Sequence, residues 1–162
     1  MQTVDQLLAE AAAFNGMSEE HLGQIAGCAQ NRVFEKGDYL LREGDAADSF
    51  YVVRLGRVAL EIFVPERGAV TIETIDDGGL VGWSWLTPPF RVHLDARALG
   101  SVHVVAFDAA CLRGKADADP ELGYELMRRF IPVIVERLQA TRERARRGVV
   151  PRGRDDDVVA DG

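Results

Sequence analysis

With 162 residues, 47% of them hydrophobic and 28% charged, and a formal net charge of -7, the chain can bury one core but not two. No apolar run approaches the roughly 20 residues that cross a bilayer, and the opening MQTVDQLLAEAAAF lacks the basic start of a secretory leader, so a cytoplasmic protein is expected. Cys28 and Cys111 have no CxxC or histidine companion, which predicts two buried thiols rather than a disulfide or a zinc site.

Taken in order, Val4, Leu7, Leu8 and Ala11 fall at helical spacing over 3–14, and Ser18 can cap a second helix whose stripe is Leu22, Ile25, Ala26 and Ala29. From residue 31 the period becomes two. Strands are predicted at 32–34, 39–42, 50–54, 57–64 and 70–75, parted by turns at Gly37, Gly44 and Gly56, with two more at 94–99 and 102–107. Such spacing predicts a mainly β fold with flanking helices, of jelly-roll character. Asp108 looks like the cap of a short helix through Lys115. Asp119 and Pro120 open the longest helix, in which Met127, Ile131, Ile134, Leu138, Thr141 and Ala145 alternate by fours and threes like a coiled-coil seam. A homodimer through that seam is expected. Pro132 should bend the helix, Gly148 should end it, and the remainder has too little apolar surface to order itself. The expected organisation is two helices in 1–30, a β-roll over 31–116, a dimerisation helix over 117–147 and a disordered tail over 148–162.

Between the strands lies 78–98, GGLVGWSWLTPPFRVHLDARA, an apparent insert holding both tryptophans, a Pro-Pro, Arg91 and His93. Trp83 and Trp85 read either as a stacking platform for a ligand or partner, or as core residues filling a cavity. Arg91 and His93 read either as an anion site or as surface groups pairing with acidic neighbours such as Asp95. His103 is expected to be an ordinary strand residue. Seven arginines against two glutamates over 128–147 could grip nucleic acid or an acidic partner, or could form a solvated helix face. No Ser/His/Asp, Cys/His or paired-carboxylate pattern suggests an enzyme.

The run FEKGDYLLREGDAADSFYVVRLGRVALEI over 34–62, with ARALGSVHVVAFDAACL over 96–112, resembles the cyclic nucleotide-binding domain of the Crp/Fnr and protein-kinase regulatory-subunit superfamily. That resemblance covers roughly 18–147. It implies a double-stranded β-helix with N-terminal helices and a long C-terminal helix, and it makes the insert a phosphate-binding cassette. The family's cassette has a glycine, a glutamate for the ribose, a helical turn whose N–H groups take the cyclic phosphate, and a downstream arginine that neutralises it. Gly82 matches the glycine. Trp83 stands in place of the glutamate, Ser84, Trp85 and Leu86 continue the turn, and the arginine position falls on Val92, between Arg91 and His93.

The resemblance therefore implies a non-catalytic regulatory or sensor module with a divergent pocket, not suited to binding cAMP or cGMP in the usual way. Any ligand would be a cyclic nucleotide or another small anion, held by Gly82, Ser84 and Trp85 backbone groups, with Arg91 and His93 as contacts and Trp83 as a wall. The competing reading is a ligand-free scaffold docking on a protein partner through the Trp/Pro loop or the Arg-rich helix. Family transcription factors place a helix-turn-helix after the long helix, and nothing resembling one follows residue 148, so sequence-specific DNA binding is not expected. No membrane or metal partner is expected.

Overall fold

Turn glycines set the strand layout. In a computed structural model, which describes residues 3–148, Gly37, Gly44 and Gly56 have φ of 90°, 88° and 114°. A Cβ on Gly56 would come within 2.7 Å of the Ser101 carbonyl, so only glycine closes that turn. The strands between these turns are β1 Ala29–Phe34, β2 Tyr39–Leu41, β3 Ser49–Leu55, β4 Val58–Val64, β5 Gly68–Ile75, β6 Leu80–Val81, β7 Asp95–Ala98 and β8 Val102–Asp108. They form two antiparallel four-stranded sheets, ordered β1-β8-β3-β6 and β2-β7-β4-β5. The expected mainly β roll with flanking helices is the observed architecture.

Period-two patterning survives in the cores. Phe34, Tyr51, Val53, Leu60 and Val104 share one cluster between the sheets, and Phe50, Val52, Val105 and Phe107, from the alternate faces of β3 and β8, join the helices in another. Among the described residues, four helices flank the roll. α1 Val4–Glu10 begins with a Thr3/Gln6 capping box and gives way to a 3-10 turn at Ala12–Phe14, where the sequence suggested continuous helix. α2 Glu19–Ala26 is capped by Ser18, and α3 Ala109–Ala118 by Asp108, whose side chain accepts from the Cys111 N–H at 2.9 Å. α4 Pro120–Gly148 continues through Pro132 to the last described residue. Of the expected tail, residues 149–162 lie outside the described residues.

Two expectations need correction. Cys28 and Cys111 form a disulfide with a Cα–Cα distance of 5.7 Å. Pairing of Ala29 with Phe107 carries the end of α2 to the first turn of α3, and a separation of 83 residues left no local sequence sign of that approach. Leu80–Val81 is a strand, with Val81 opposite Tyr51, so the insert narrows to 82–94. Glu61 of β4 is buried and accepts from the Arg97 guanidinium at 2.8 and 3.2 Å.

Candidate functional site

The insert begins with a close backbone approach. Gly82 has φ 97°, and a Cβ there would meet Leu41 Cδ1 at 3.2 Å and the Phe50 Cβ at 3.4 Å. The chain then makes a 3-10 turn at Ser84–Leu86. Trp85 stacks on Phe50 at 4.7 Å between centroids and meets Phe130 of α4 edge-on at 5.3 Å, which buries it completely. Arg113 of α3 holds the turn from the other side: it donates to the Trp85 carbonyl at 3.0 Å and lies 4.3 Å over the Phe90 ring. Trp85 is thus a core residue, as one of the two readings of the tryptophans held.

The far end of the insert is fixed by backbone pairing. The Ala47 N–H donates to the Phe90 carbonyl at 2.7 Å, and Gly44 and Val92 exchange bonds across the gap, Gly44 to the Val92 carbonyl and Val92 to the Asp45 carbonyl, both at 2.9 Å. This extended pairing turns Val92 inward and leaves Arg91 and His93 exposed on either side of it. His93 packs edge-on to Trp83 at 5.0 Å. Gly82, Trp83, Ser84, Val92, His93 and Leu94, with Leu41 and Leu60 behind them, surround a cavity of about 20 Å³. Of the residues proposed for a ligand, Gly82, Trp83, Ser84 and His93 come together here. Trp85 lies in the core and Arg91 is exposed, and neither borders the cavity.

The remaining wall comes from a residue that sequence patterning missed. Arg137 of α4 is only 6% exposed; it forms an ion pair with Glu73 of β5 at 2.8 Å and donates to the Leu80 carbonyl at 2.7 Å. In an arginine-rich helix its charge resembles that of its exposed neighbours. Its place three and seven residues from the half-buried Ile134 and fully buried Phe130 was the available signal. Glu73 and Leu80 satisfy this guanidinium, so the cavity has no spare buried cation among the described residues. His93 is at its edge.

Tyr51 and Arg97, elsewhere in the roll, are perturbed. Burial pushes the Tyr51 phenol above its ordinary value of 10.0, against opposing effects of Arg32 and Ser49. Arg97 is held still more firmly in its charged form by hydrogen bonding to Glu61 and by that carboxylate's charge. Neither residue borders the cavity, and no side chain around it is paired for nucleophilic or acid–base chemistry. A space this size accepts about one water molecule.

α4 presents an exposed stripe of Tyr124, Met127, Ile131, Val135 and Leu138. Of the proposed seam, Met127, Ile131, Leu138 and Ala145 are exposed, while Ile134 and Thr141 are half-buried and Val135 takes the outer position between Ile131 and Leu138. Toward its end the helix runs beside the β4–β5 hairpin. A groove of about 620 Å³ there is lined by Ile62, Val64, Val70 and Ile72 and by Arg67, Arg144 and Arg147. Part of the arginine cluster therefore edges an apolar surface, and Arg147 also pairs with Glu143 at 2.9 Å.

Comparison with known proteins agrees with this arrangement. The family described as "Cyclic nucleotide-binding domain" matches residues 31–119. A CRP-like cAMP-activated global transcriptional regulator of Mycobacterium tuberculosis is 23% identical over 138 residues, covering 85% of this chain and 60% of the regulator, so the chain spans about three-fifths of that relative's length. A cyclic nucleotide-binding protein from Geobacter metallireducens superposes with a TM-score of 0.73 at 27% identity, over 85% of this chain and 99% of that one. A regulatory subunit of a cAMP-independent protein kinase A from Trypanosoma brucei, in a triple mutant bound to cAMP, superposes with a TM-score of 0.66 at 18% identity, over 90% and 50% of the two chains. No described helix is long and apolar enough to cross a membrane.

Proposed function

The chain belongs to the cyclic nucleotide-binding domain family, and from that premise we propose that it is a non-catalytic regulatory module whose rebuilt cassette does not take cAMP or cGMP in the family's usual way. The observation that carries this reading is the closure of the cassette by Arg137. A cavity of about 20 Å³ is far below the roughly 300 Å³ at which small-molecule sites begin. Trp83 occupies the place of the glutamate expected for the ribose. The arginine position holds Val92, whose side chain is packed inside. Arg137, the cation lining the cavity, is already committed to Glu73 and the Leu80 carbonyl. A cyclic phosphate would have to displace the indole and break that pair, leaving Glu73 without its partner.

Calorimetry with cAMP and cGMP tests the reading. The expected result is no heat from the natural chain at millimolar nucleotide, and recovery of cAMP binding in a Trp83→Glu, Val92→Arg double variant, which restores both missing groups. Micromolar binding by the natural chain overturns it. The outer stripe of α4 supports a further part of the proposal, that the module works as a homodimer. Tyr124, Ile131, Leu138 and Ala145 recur every seven residues, with Val135 between two of them, the repeat of a self-complementary helical seam.

A further inference from the structure

His21, on α2, is 6% exposed, and among the described residues its imidazole makes no hydrogen bond. Its Nε2 points at Asp119 Oδ2 across 3.6 Å, longer than a hydrogen bond. Asp119 caps α4, with one oxygen accepting from the Leu122 N–H at 3.4 Å, and the exposed Glu121 sits in the first turn of that helix. One ligand atom from each of His21, Asp119 and Glu121 lies within 4.8 Å of the others. Gln24, one turn along α2 from His21, brings its amide to Asp119 Oδ2 at 3.4 Å, while its Oε1 is buried without a partner.

We infer that these residues form a site for a divalent transition-metal ion of the zinc type. With bonds of about 2.1 Å, neighbouring ligands of a tetrahedral zinc lie about 3.4 Å apart. The His21–Asp119 separation of 3.6 Å is close to that edge length, and the exposed Glu121 carboxylate, within 4.8 Å of both, has to swing inward to complete the set. Rotating the Gln24 amide by half a turn gives up its Nε2 hydrogen bond to Asp119 and takes the NH2 to the position where Oε1 now has no partner, in exchange for an amide oxygen that joins the imidazole and two carboxylates around one ion. The helix dipole opposes a cation at the start of α4 with about half a charge, whereas Asp119 and Glu121 supply two negative charges. Lys115, the nearby cation, is engaged on the Gln24 carbonyl at 2.7 Å. His21 and Asp119 are 98 positions apart in the sequence, so no ligand-spacing motif announces the site. An ion here ties α2 to the start of α4, the helix that carries Arg137 into the cassette.

The test titrates the full chain with Zn²⁺ by calorimetry and with Co²⁺ by visible absorption. One ion per chain, with the intense bands of tetrahedral cobalt, is the expected result. Glu121→Ala removes an exposed ligand without disturbing packing and should weaken binding at least about tenfold; His21→Ala should abolish it. The cyclic-nucleotide titration of the same variants should be unchanged, which separates this proposal from that for the cassette. Absence of binding below millimolar Zn²⁺, a weak octahedral cobalt spectrum, or equal affinity in Glu121→Ala would each overturn the site and leave a plain His21–Asp119 ion pair.

Discussion

The two faces of α4 are made from neighbouring residues and meet opposite fates. On one, Leu122, Leu126, Phe130 and Arg137 are buried against the roll; on the other, Tyr124, Met127, Ile131, Val135 and Leu138 remain exposed. Both are apolar enough to read as an interior. Among the described residues only the first has its partner within the chain, since Phe50 and Trp85 present their rings to Phe130 at 5.1 and 5.3 Å. The difference teaches that one helix can complete the core beneath the cassette while presenting a second apolar surface that no described residue covers.

The sharpest way to break that comparison is to truncate adjacent residues on opposite faces. Phe130→Ala empties space beneath both Phe50 and Trp85 and should cost about 3 to 5 kcal/mol. Ile131→Ala, one position along, should cost less than about 0.5 kcal/mol within the folded monomer. Urea unfolding at a low protein concentration measures both, and equal costs would show that the outer face is packed.

Arg137 comes next in size, because its face is polar at that point. Arg137→Met keeps the length of the side chain but leaves Glu73 and the Leu80 carbonyl without their donor. Breaking a fully buried pair costs about 3 to 5 kcal/mol; the Glu73 side chain keeps 28% of its exposure, so about 2 kcal/mol is expected. Adding Glu73→Gln should recover part of that loss, and a double-mutant cycle with no coupling would show that the ion pair does not hold α4 to the cassette.

These residues also show how far the sequence could be read. The paired Gly-Asp turns and period-two runs carried the strand layout, because a positive φ and a half-buried pleat each demand particular residues. Ser18, Asp108 and Pro120 marked helix starts for equally local reasons. Trp83, standing where the resembling family carries a glutamate, was the departure legible in the insert. What stayed hidden depends on distant segments meeting. Arg137 looks like its solvated neighbours until β5 brings Glu73 beneath it, Arg113 acquires its role only where α3 passes Phe90, and Cys28 meets Cys111 only because β1 pairs with β8. Along α4, Ile134 and Thr141 turn half-buried while Val135 turns outward, because all these positions fit an apolar repeat and only burial tells which side faces the roll.

The smallest expected effect on folding is also the one that tests what covers the outer face. Ile131 lies midway along the exposed stripe, seven residues from Tyr124 and seven from Leu138. In a two-fold seam, Ile131→Asp enters twice and brings both carboxylates into the apolar contact, where neither finds a cation of its own. On an uncovered face the same substitution meets only water and should change monomer stability by less than about 0.5 kcal/mol. The expected result is therefore a mass that falls from dimer to monomer by light scattering, with the urea midpoint at low concentration unmoved. The natural chain's melting temperature should rise with protein concentration and the variant's should not, because only association links stability to concentration. A mass that stays dimeric would place the seam elsewhere; a natural chain already monomeric would leave the stripe to a different partner.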